Sequence, residues 1–220
     1  MDDAFILSHV DHTLLSATAS WEQIDELCKE AIKFKTASIY VPPNYVKRTR
    51  SEYPDINLGT PIGFPFGYET ITVKAVAVQM AVEDGADELD MVINLTDVKN
   101  ANFDSISVEI SVLKQVAGAR ILKVIVETCY LTQEEKIILC KIVTEAGADY
   151  LKTSTGLGPA GATLADIELF KAHVGPDVKL KAAGGIRSRE DMVAFLEAGC
   201  SRLGTSSAVK LLTGGKAGAY

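Results

Sequence analysis

Three lysines and one aspartate stand out as groups that could act together. Lys123, Lys152 and Lys181 each lie in a short run of strand-forming residues, and Asp90 lies in a fourth such run. Burial lowers the pKa of a lysine, and a second ammonium group nearby lowers it further. If the three lysines point inward at similar depth, we expect at least one amine to be neutral near pH 7. A neutral lysine is a nucleophile that can form a Schiff base with a carbonyl substrate.

The alternative is a structural Asp–Lys network inside the fold, with ammonium tips that reach water. This is the simpler interpretation for any one lysine taken alone. Three lysines on consecutive strands beside a carboxylate favour chemistry, and Asp90 could pair with one of them or carry a proton. Asp11, at the end of the first strand, could orient polar groups in the same site. A local Asx-type turn explains Asp11 equally well.

Two glycine-rich segments near the end of the chain predict a binding place for phosphate. Residues 181–187 (Lys-Ala-Ala-Gly-Gly-Ile-Arg) and 203–207 (Leu-Gly-Thr-Ser-Ser) follow the last two predicted strands. In α/β barrels such loops, together with the start of a short helix, commonly bind phosphate through backbone N–H groups. Ser206 and Ser207 lie where that helix would begin, and residues 153–156 could add donors. Ordinary turn glycines and N-cap serines are the alternative.

The elements that must position these residues alternate between short β-branched runs and longer helical patterns. The pattern predicts strands over residues 8–13, 37–41, 57–64, 86–93, 120–127, the start of 147–156, 178–183 and 201–205. It predicts helices over residues 21–33, 45–51, 70–84, 103–116, 132–146, 163–173, 188–198 and 206–212. Strands that alternate with helices in this way indicate a parallel sheet.

Helix-boundary signals support a repeated unit. Three predicted helices end on a glycine just before a strand, at Gly85, Gly147 and Gly199. Eight such units in about 220 residues predict a single-domain (β/α)8 TIM barrel. We assign residues 1–213 to the barrel and 214–220 to a flexible tail. A doubly wound open sheet is the alternative, although no G-x-G-x-x-G follows the first predicted strand.

Composition narrows the classes of partner. The 220 residues carry a net charge of −7, which argues against nucleic acid or an anionic membrane as a general partner. No apolar run is long enough to span a membrane, and the acidic N-terminus does not resemble a signal peptide. Four scattered cysteines indicate reduced thiols and a cytoplasmic location. We expect neither a metal nor another cofactor, and we leave a homodimer open.

Several stretches resemble the deoxyribose-phosphate aldolase family of class I aldolases. The stretch around Lys152, Lys-Thr-Ser-Thr-Gly, is the most specific of them. The others follow in the family's order, at residues 11–15, 63–65, 85–94, 123–128, 181–187 and 204–208. The resemblance implies reversible cleavage of 2-deoxy-D-ribose 5-phosphate to D-glyceraldehyde 3-phosphate and acetaldehyde, in deoxyribonucleotide catabolism. Spacing alone would not define this substrate.

The resemblance also implies roles for individual residues. Lys152 would form the Schiff base, Asp90 and Lys181 would assist proton transfer, and Lys181 would favour the neutral form of Lys152. Lys123, Asp11 and Thr153 would support them. The residues that would hold the substrate phosphate are Gly156, Gly184, Gly185, Gly204, Ser206 and Ser207. The protonated imine withdraws electrons, so this chemistry requires no metal.

The sequence differs from the family pattern at one position and leaves another unsettled. Members often carry a cysteine in the second strand where this chain has Tyr40, so we expect slower covalent inactivation by unsaturated aldehydes. Some members end in a tyrosine that folds over the site and moves a proton. The resemblance extends this role to Tyr220, with a disordered tail as the alternative. A sugar-phosphate isomerase or epimerase, or a non-catalytic sugar-phosphate binding protein, would leave Lys152 with a structural role.

Overall fold

Eight parallel strands form a closed barrel in the computed structural model, which describes residues 1–214. The strands are β1 (Val10–Thr13), β2 (Ser38–Tyr40), β3 (Leu58–Ile62), β4 (Glu88–Val92), β5 (Ile121–Ile125), β6 (Tyr150–Lys152), β7 (Lys179–Ala183) and β8 (Arg202–Thr205). The last strand pairs with the first in the register Val10↔Leu203. This pairing closes the barrel and excludes the open doubly wound sheet, so the predicted TIM barrel is confirmed.

Helices surround the barrel and connect successive strands. They are α1 (Asp3–Leu7), α2 (Trp21–Phe34), α3 (Val46–Glu52), α4 (Ile71–Glu83), α5 (Leu95–Lys99), α6 (Phe103–Ala117), α7 (Gln133–Glu145), α8 (Leu164–His173), α9 (Arg189–Ala198) and α10 (Ala208–Leu212). Short 3-10 turns cover Pro43–Tyr45 and Thr128–Tyr130. Hydrogen bonds at the helix starts agree with the sequence: the N–H of Glu135 donates to the Thr132 hydroxyl, and the N–H of Thr132 donates to the Glu135 carboxylate. These paired bonds fix where α7 begins.

Alternation along the strands separates two environments. On β4, Leu89 and Met91 are fully buried in the apolar layer beneath the helices, whereas Glu88 and Asp90 contact side chains across the barrel interior. The same period of two places Lys123 of β5 opposite Asp90 in the strand register. Lys152 of β6 is paired with a lysine of β7. Charged groups from neighbouring strands therefore converge inside the barrel near the carboxyl ends of the strands.

The structure corrects the sequence-based boundaries at two places. The segment before β1 is a short helix, α1, because the Asp2 carboxylate accepts a hydrogen bond from the N–H of Phe5 and caps it. The first strand therefore begins at Val10 instead of Ser8. The helix α5 was not predicted, and it begins where the Asn94 side chain accepts a bond from the N–H of Thr96.

The described chain forms one barrel up to its last helix, α10. The predicted division at residue 213 stays a prediction, because residues 215–220 lie outside the described part. Among residues 1–214, no helix combines the length and apolar character needed to cross a membrane. Within the same residues, His, Cys, Asp and Glu side chains do not form groups of three or more suited to a metal ion.

Candidate active site

One carboxylate oxygen joins two of the predicted lysines. Asp90 Oδ2 lies 2.8 Å from Lys152 Nζ and 2.7 Å from Lys181 Nζ. Burial alone would raise the pKa of Asp90, but the ammonium groups of Lys152 and Lys181, with Lys123, hold it well below its ordinary value. Asp90 is therefore an anion that can take a proton from either amine.

Lys123 lies deeper in the barrel than the other two lysines. Its Nζ binds Glu88 and the Tyr40 hydroxyl, and it lies 3.5 Å from both Asp11 Oδ2 and Asp90 Oδ1. Burial favours its neutral form, but these three carboxylates outweigh burial and raise the pKa of Lys123 above its ordinary value. Lys123 is thus a permanent cation that balances the carboxylates of the barrel interior.

Asp11 belongs to the same cluster and forms no Asx turn. Its Oδ2 lies 2.5 Å from Lys181 Nζ, and its Oδ1 accepts a 2.7 Å hydrogen bond from the Ser38 hydroxyl and another from Arg202. Burial opposes ionisation, but the charges of Lys123, Lys181 and Arg202 hold the pKa of Asp11 below its ordinary value. Asp11 therefore stays charged and fixes the position of Lys181.

Lys181 is an amine whose charge changes near neutral pH. Burial, together with the nearby Lys152 and Lys123, lowers the pKa of Lys181 to about 8, despite the opposing effect of Asp11 and Asp90. An amine with this pKa exchanges its proton near neutral pH, which suits a proton donor or acceptor.

Lys152 is the lysine of the three that reaches open space. Its side chain is 7% exposed, against 1% for Lys181 and 0% for Lys123. It lines a pocket at the carboxyl ends of the strands together with all six predicted phosphate-binding residues, Gly156, Gly184, Gly185, Gly204, Ser206 and Ser207. The structure therefore places the amine and the glycine loops in one pocket.

Close backbone contact explains two glycines of this pocket. A Cβ added to Gly184 would lie 3.1 Å from the Cα atoms of Gly156 and Gly161, and one added to Gly161 would lie 2.2 Å from the Gly184 carbonyl carbon. The N–H of Ala162 also donates to the carbonyl oxygen of Gly184. The loops after β6 and β7 consequently pack backbone against backbone, with their N–H groups near the pocket.

Thr153 is a predicted supporting residue that ties two strands together and does not line this pocket. The Thr153 hydroxyl accepts a 3.1 Å bond from the N–H of Ala183 and donates to its carbonyl at 3.2 Å. It therefore ties β6 to β7 and does not line the pocket. Tyr220 lies outside the described residues, so its suggested role stays a prediction.

Sequence reasoning assigned no role to several residues that the structure brings to the site. Glu127 is buried, has the left-handed φ of 53°, and accepts hydrogen bonds from the N–H and hydroxyl of Thr155. Arg187 is an exposed cation that lines the pocket. Tyr40, Glu88 and Arg202 complete the buried network. Alternation along the strands already predicts that Glu88 shares a face with Asp90, and the same alternation along β8 could have indicated Arg202, which shares a face with Gly204.

A wider groove lies on the outside of the barrel between α2 and α10. Its charged side chains have mixed signs, among them Glu26, Lys29, Glu30, Lys33 and Lys210. Exposed charged side chains of mixed sign are ordinary on a helix surface. The barrel mouth is the candidate active site, because the buried amines and carboxylates converge there.

The fold and the site together define a class of protein. It is a (β/α)8-barrel enzyme in which buried amine and carboxylate groups meet at the carboxyl ends of the strands. The sequence model that describes the DeoC/LacD family of aldolases matches residues 5–215 of this chain. The chain therefore belongs to this family and is an aldolase.

Individual relatives agree with this family. The chain is 55% identical over 221 residues to the deoxyribose-phosphate aldolase of Clostridium botulinum strain Eklund 17B, covering 100% of both chains. It is 54% identical to that of Clostridioides difficile, covering 94% of this chain and 95% of the relative. Among solved structures, the tetrameric deoxyribose phosphate aldolase of Aeropyrum pernix superposes with a TM-score of 0.88 at 32% identity, covering 96% and 91% of the two chains.

Proposed function

We propose that this aldolase reversibly cleaves 2-deoxy-D-ribose 5-phosphate to D-glyceraldehyde 3-phosphate and acetaldehyde through a Schiff base on Lys152. One observation carries the proposal: Lys152 lines the same pocket as the glycine loops predicted to bind phosphate. The names of the similar proteins from two clostridial species support the choice of substrate.

The buried cluster supplies the proton transfers that a Schiff base needs. Lys152 passes its ammonium proton to Asp90, whose Oδ2 lies 2.8 Å away, and the neutral amine attacks the carbonyl carbon of acetaldehyde. Asp90 returns this proton to the hydroxyl of the resulting carbinolamine, which leaves as water and gives the iminium. The Asp90–Lys181 pair then removes a methyl proton to give the enamine. The enamine attacks the aldehyde carbon of the triose phosphate while the pair returns the proton to the aldehyde oxygen, and water then hydrolyses the iminium and releases the product.

Phosphate binding would use the opposite wall of the pocket. The backbone at Gly156, Gly184 and Gly185 has positive φ values of 87°, 80° and 75°, a conformation in which successive N–H groups can form an anion-binding nest. Ser206 and Ser207 add hydroxyl groups. These groups would hold the phosphate at one end of the substrate while its other end reaches Lys152.

Gly204 has a different task from the other glycines. A Cβ added there would lie 3.1 Å from Lys181 Cε and 3.0 Å from Ala183 Cβ. Gly204 thus leaves room for the Lys181 side chain beside the pocket, and we assign it to the binding site through this spacing.

Borohydride trapping tests the proposal directly. Reduction in the presence of acetaldehyde or deoxyribose 5-phosphate should leave a stable mass adduct on Lys152. The Lys152→Met variant should lose this adduct and the activity while it keeps its fold. Lys179→Met is the matched control, because Lys179 is an exposed lysine at the start of β7 and its loss should leave trapping unchanged. An active parent enzyme with no adduct on any lysine would contradict the Schiff base and favour isomerase-type chemistry.

The cellular setting is part of the same proposal. We place the reaction in deoxyribonucleotide catabolism in the cytoplasm, and the free, buried thiols of Cys28, Cys140 and Cys200 support a reducing compartment.

Exposed apolar side chains on α4 support a homodimer. Val73, Val76 and Met80 lie on one face of this helix and are 55%, 50% and 58% exposed. Sedimentation should detect the dimer, and Val76→Asp should convert it to monomer.

A further inference from the structure

Tyr40 crosses the barrel interior to reach the carboxylate of Asp90. Its hydroxyl donates a 2.6 Å hydrogen bond to Asp90 Oδ1, and the residue is 1% exposed. Its ring lies 4.0 Å from Lys181 Nζ, measured to the ring centroid. A single side chain from β2 therefore touches both members of the proposed proton-transfer pair.

The neighbouring strand lacks a side chain where this ring lies. Gly59 of β3 is paired with Tyr40 in the strand register. A Cβ added to Gly59 would lie 2.3 Å from Tyr40 Cζ, so the ring could not stay where it is. Gly59 has no positive φ to explain its presence, so the space it leaves for the tyrosine ring is its structural contribution.

The hydrogen bonds around the hydroxyl define its direction. Lys123 donates to the Tyr40 oxygen, and a protonated lysine has no acceptor to offer in return. The single hydroxyl proton must therefore point to a carboxylate. Asp90 Oδ1 at 2.6 Å is favoured over Glu88 Oε2 at 3.3 Å. Burial, followed by the charges of these carboxylates, raises the pKa of Tyr40 well above its ordinary value, so the proton stays on the hydroxyl.

We propose that Tyr40 is a positioning residue that holds Oδ1 of Asp90, so that Oδ2 faces Lys152 and Lys181, and that Gly59 admits its ring. The inference rests on the proton-transfer role proposed above for Asp90. Without the hydroxyl, Asp90 Oδ1 loses its close donor, and Lys123, now 3.5 Å away, is free to pair with it. The carboxylate would then turn away from the two amines near the pocket.

Tyr40→Phe tests this role because it keeps the ring and removes the hydroxyl. Exchange of the acetaldehyde methyl protons with deuterated water reports proton transfer. We expect exchange and kcat to fall roughly ten- to hundredfold, as for a lost hydrogen bond to a charged group. We expect KM to change by no more than about twofold, because substrate binding does not involve the hydroxyl. Borohydride trapping that is carried to completion should still place the adduct on Lys152, although the adduct forms more slowly.

The pH profile supplies a readout that a purely structural role would not change. Groups from the surrounding strands face Asp90, namely Asp11, Tyr40, Lys123, Lys152 and Lys181, with Glu88 and Arg202 beneath them. A hydrogen bond to a carboxylate favours its charged form. Its loss should raise the pKa of Asp90 and move the acid limb of kcat to higher pH.

Two further variants keep the test decisive. Tyr150→Phe is the matched control, since it also removes a hydroxyl from a buried tyrosine whose ring lies near Lys123, at 5.4 Å; it should leave exchange unchanged. Gly59→Ala keeps every polar group but displaces the Tyr40 ring, so it should reproduce the loss, and it should add little to Tyr40→Phe. Gly59→Ala alone decides the question if Tyr40→Phe does not fold.

The outcomes separate this inference from the proposed function. A parent enzyme that forms no borohydride adduct contradicts the Schiff-base function itself. A parent that traps normally, with Tyr40→Phe matching Tyr150→Phe in exchange rate and pH profile, overturns the positioning role alone. A Tyr40→Phe variant that forms no adduct on Lys152 even at completion would also overturn it, because that result would indicate general damage to the site.

Discussion

Lys181 Nζ lies 2.7 Å from Asp90 Oδ2 in the interior of the barrel, where the two residues are 1% and 0% exposed. Burial lowers the pKa of Lys181 to about 8, while Asp90 stays ionised. The contact thus joins an amine that titrates near neutral pH to a carboxylate that is ionised at rest and can accept a proton transiently. Such a pair can pass a proton in either direction without bulk water.

The first prediction concerns the pH dependence of activity. If protonated Lys181 acts as the acid, kcat/KM of the free enzyme should fall above about pH 8, where Lys181 loses its proton. Lys181→Leu should lower kcat by about 10²–10⁴, the usual contribution of one general acid or base. Lys181→Arg keeps the positive charge, so its residual activity should lack this alkaline limb. An unchanged limb in Lys181→Arg would assign the titration to another group.

The second prediction concerns Glu127 and the loop after β6. The Glu127 carboxylate holds Thr155 through the threonine N–H at 3.2 Å and through its hydroxyl. Thr155 precedes Gly156, which lines the pocket. Glu127→Gln should therefore loosen the phosphate wall and raise KM for deoxyribose 5-phosphate about tenfold, as for a weakened hydrogen bond to a charged group.

Acetaldehyde supplies the control for Glu127, because it carries no phosphate. Its methyl-proton exchange in Glu127→Gln should equal that of the parent enzyme. Thr155→Val, which keeps the shape and removes the hydroxyl, should show the same selective loss. If both substrates lose equally, Glu127 supports Lys152 instead of the phosphate wall.

Periodicity was sufficient to predict which charged residues of the candidate site lie together inside the barrel. Asp90, Lys152 and Lys181 lie on strands with clear boundaries, and alternation determines which side chains point inward. It could not reveal Tyr40, because its contact with Asp90 depends on the stagger of the strands and on the reach of a long side chain. The Tyr40 hydroxyl reaches Asp90 only because Gly59 on the next strand has no side chain where the ring lies. Residue propensities along the chain do not predict such a contact between strands.

Local signals were likewise incomplete at the ends of elements. Helix α1 depends on one side-chain cap at Asp2, which is weaker evidence in the sequence than the strand pattern that follows over residues 8–13. Glu127 adopts a left-handed φ of 53°, which is uncommon for residues other than glycine and is held here by tertiary hydrogen bonds. Sequence patterns predict regular helices and strands better than they predict single caps or left-handed residues.

The third prediction concerns stability. Lys74 of α4 is 1% exposed, and its ammonium group binds Glu109 Oε1 at 2.6 Å and the carbonyl oxygens of Gly67 and Val92 at 2.5 and 2.7 Å. Lys74→Met should lower the free energy of unfolding by about 3–5 kcal/mol, because it leaves a buried carboxylate without its partner. Chemical denaturation of the purified variant measures this loss.

A second substitution distinguishes the lost ion pair from lost packing. Glu109→Leu combined with Lys74→Met removes both charges, so the double variant should regain part of the stability. Burial raises the pKa of Glu109 above its ordinary value, although Lys74 opposes the shift. The Glu109 carboxyl group therefore keeps its proton to a higher pH in the folded state than in the unfolded state. As the pH rises from the unfolded-state pKa of Glu109 through its folded-state pKa, the free energy of unfolding should fall, and it should fall more strongly in Lys74→Met.

The fourth prediction concerns unsaturated aldehydes, which alkylate thiolates. Burial raises the pKa of Cys28, Cys140 and Cys200 to about 12, and burial also raises that of the partly exposed Cys129. Few thiolates are therefore present at neutral pH, since the thiolate is the reactive form. Covalent inactivation of the parent enzyme should be slow.

Tyr40→Cys places a thiol beside Lys123 and Lys181, and nearby ammonium groups favour a thiolate. An unsaturated aldehyde should therefore modify this variant faster than the parent, with the added mass on residue 40. Because the substitution also removes the hydroxyl bond to Asp90, the adduct should be followed by mass spectrometry and not by activity alone. Tyr40→Ser is the matched control, since it has a similar size and no thiol. Equal adduct formation in all three proteins would show that residue 40 does not determine aldehyde tolerance.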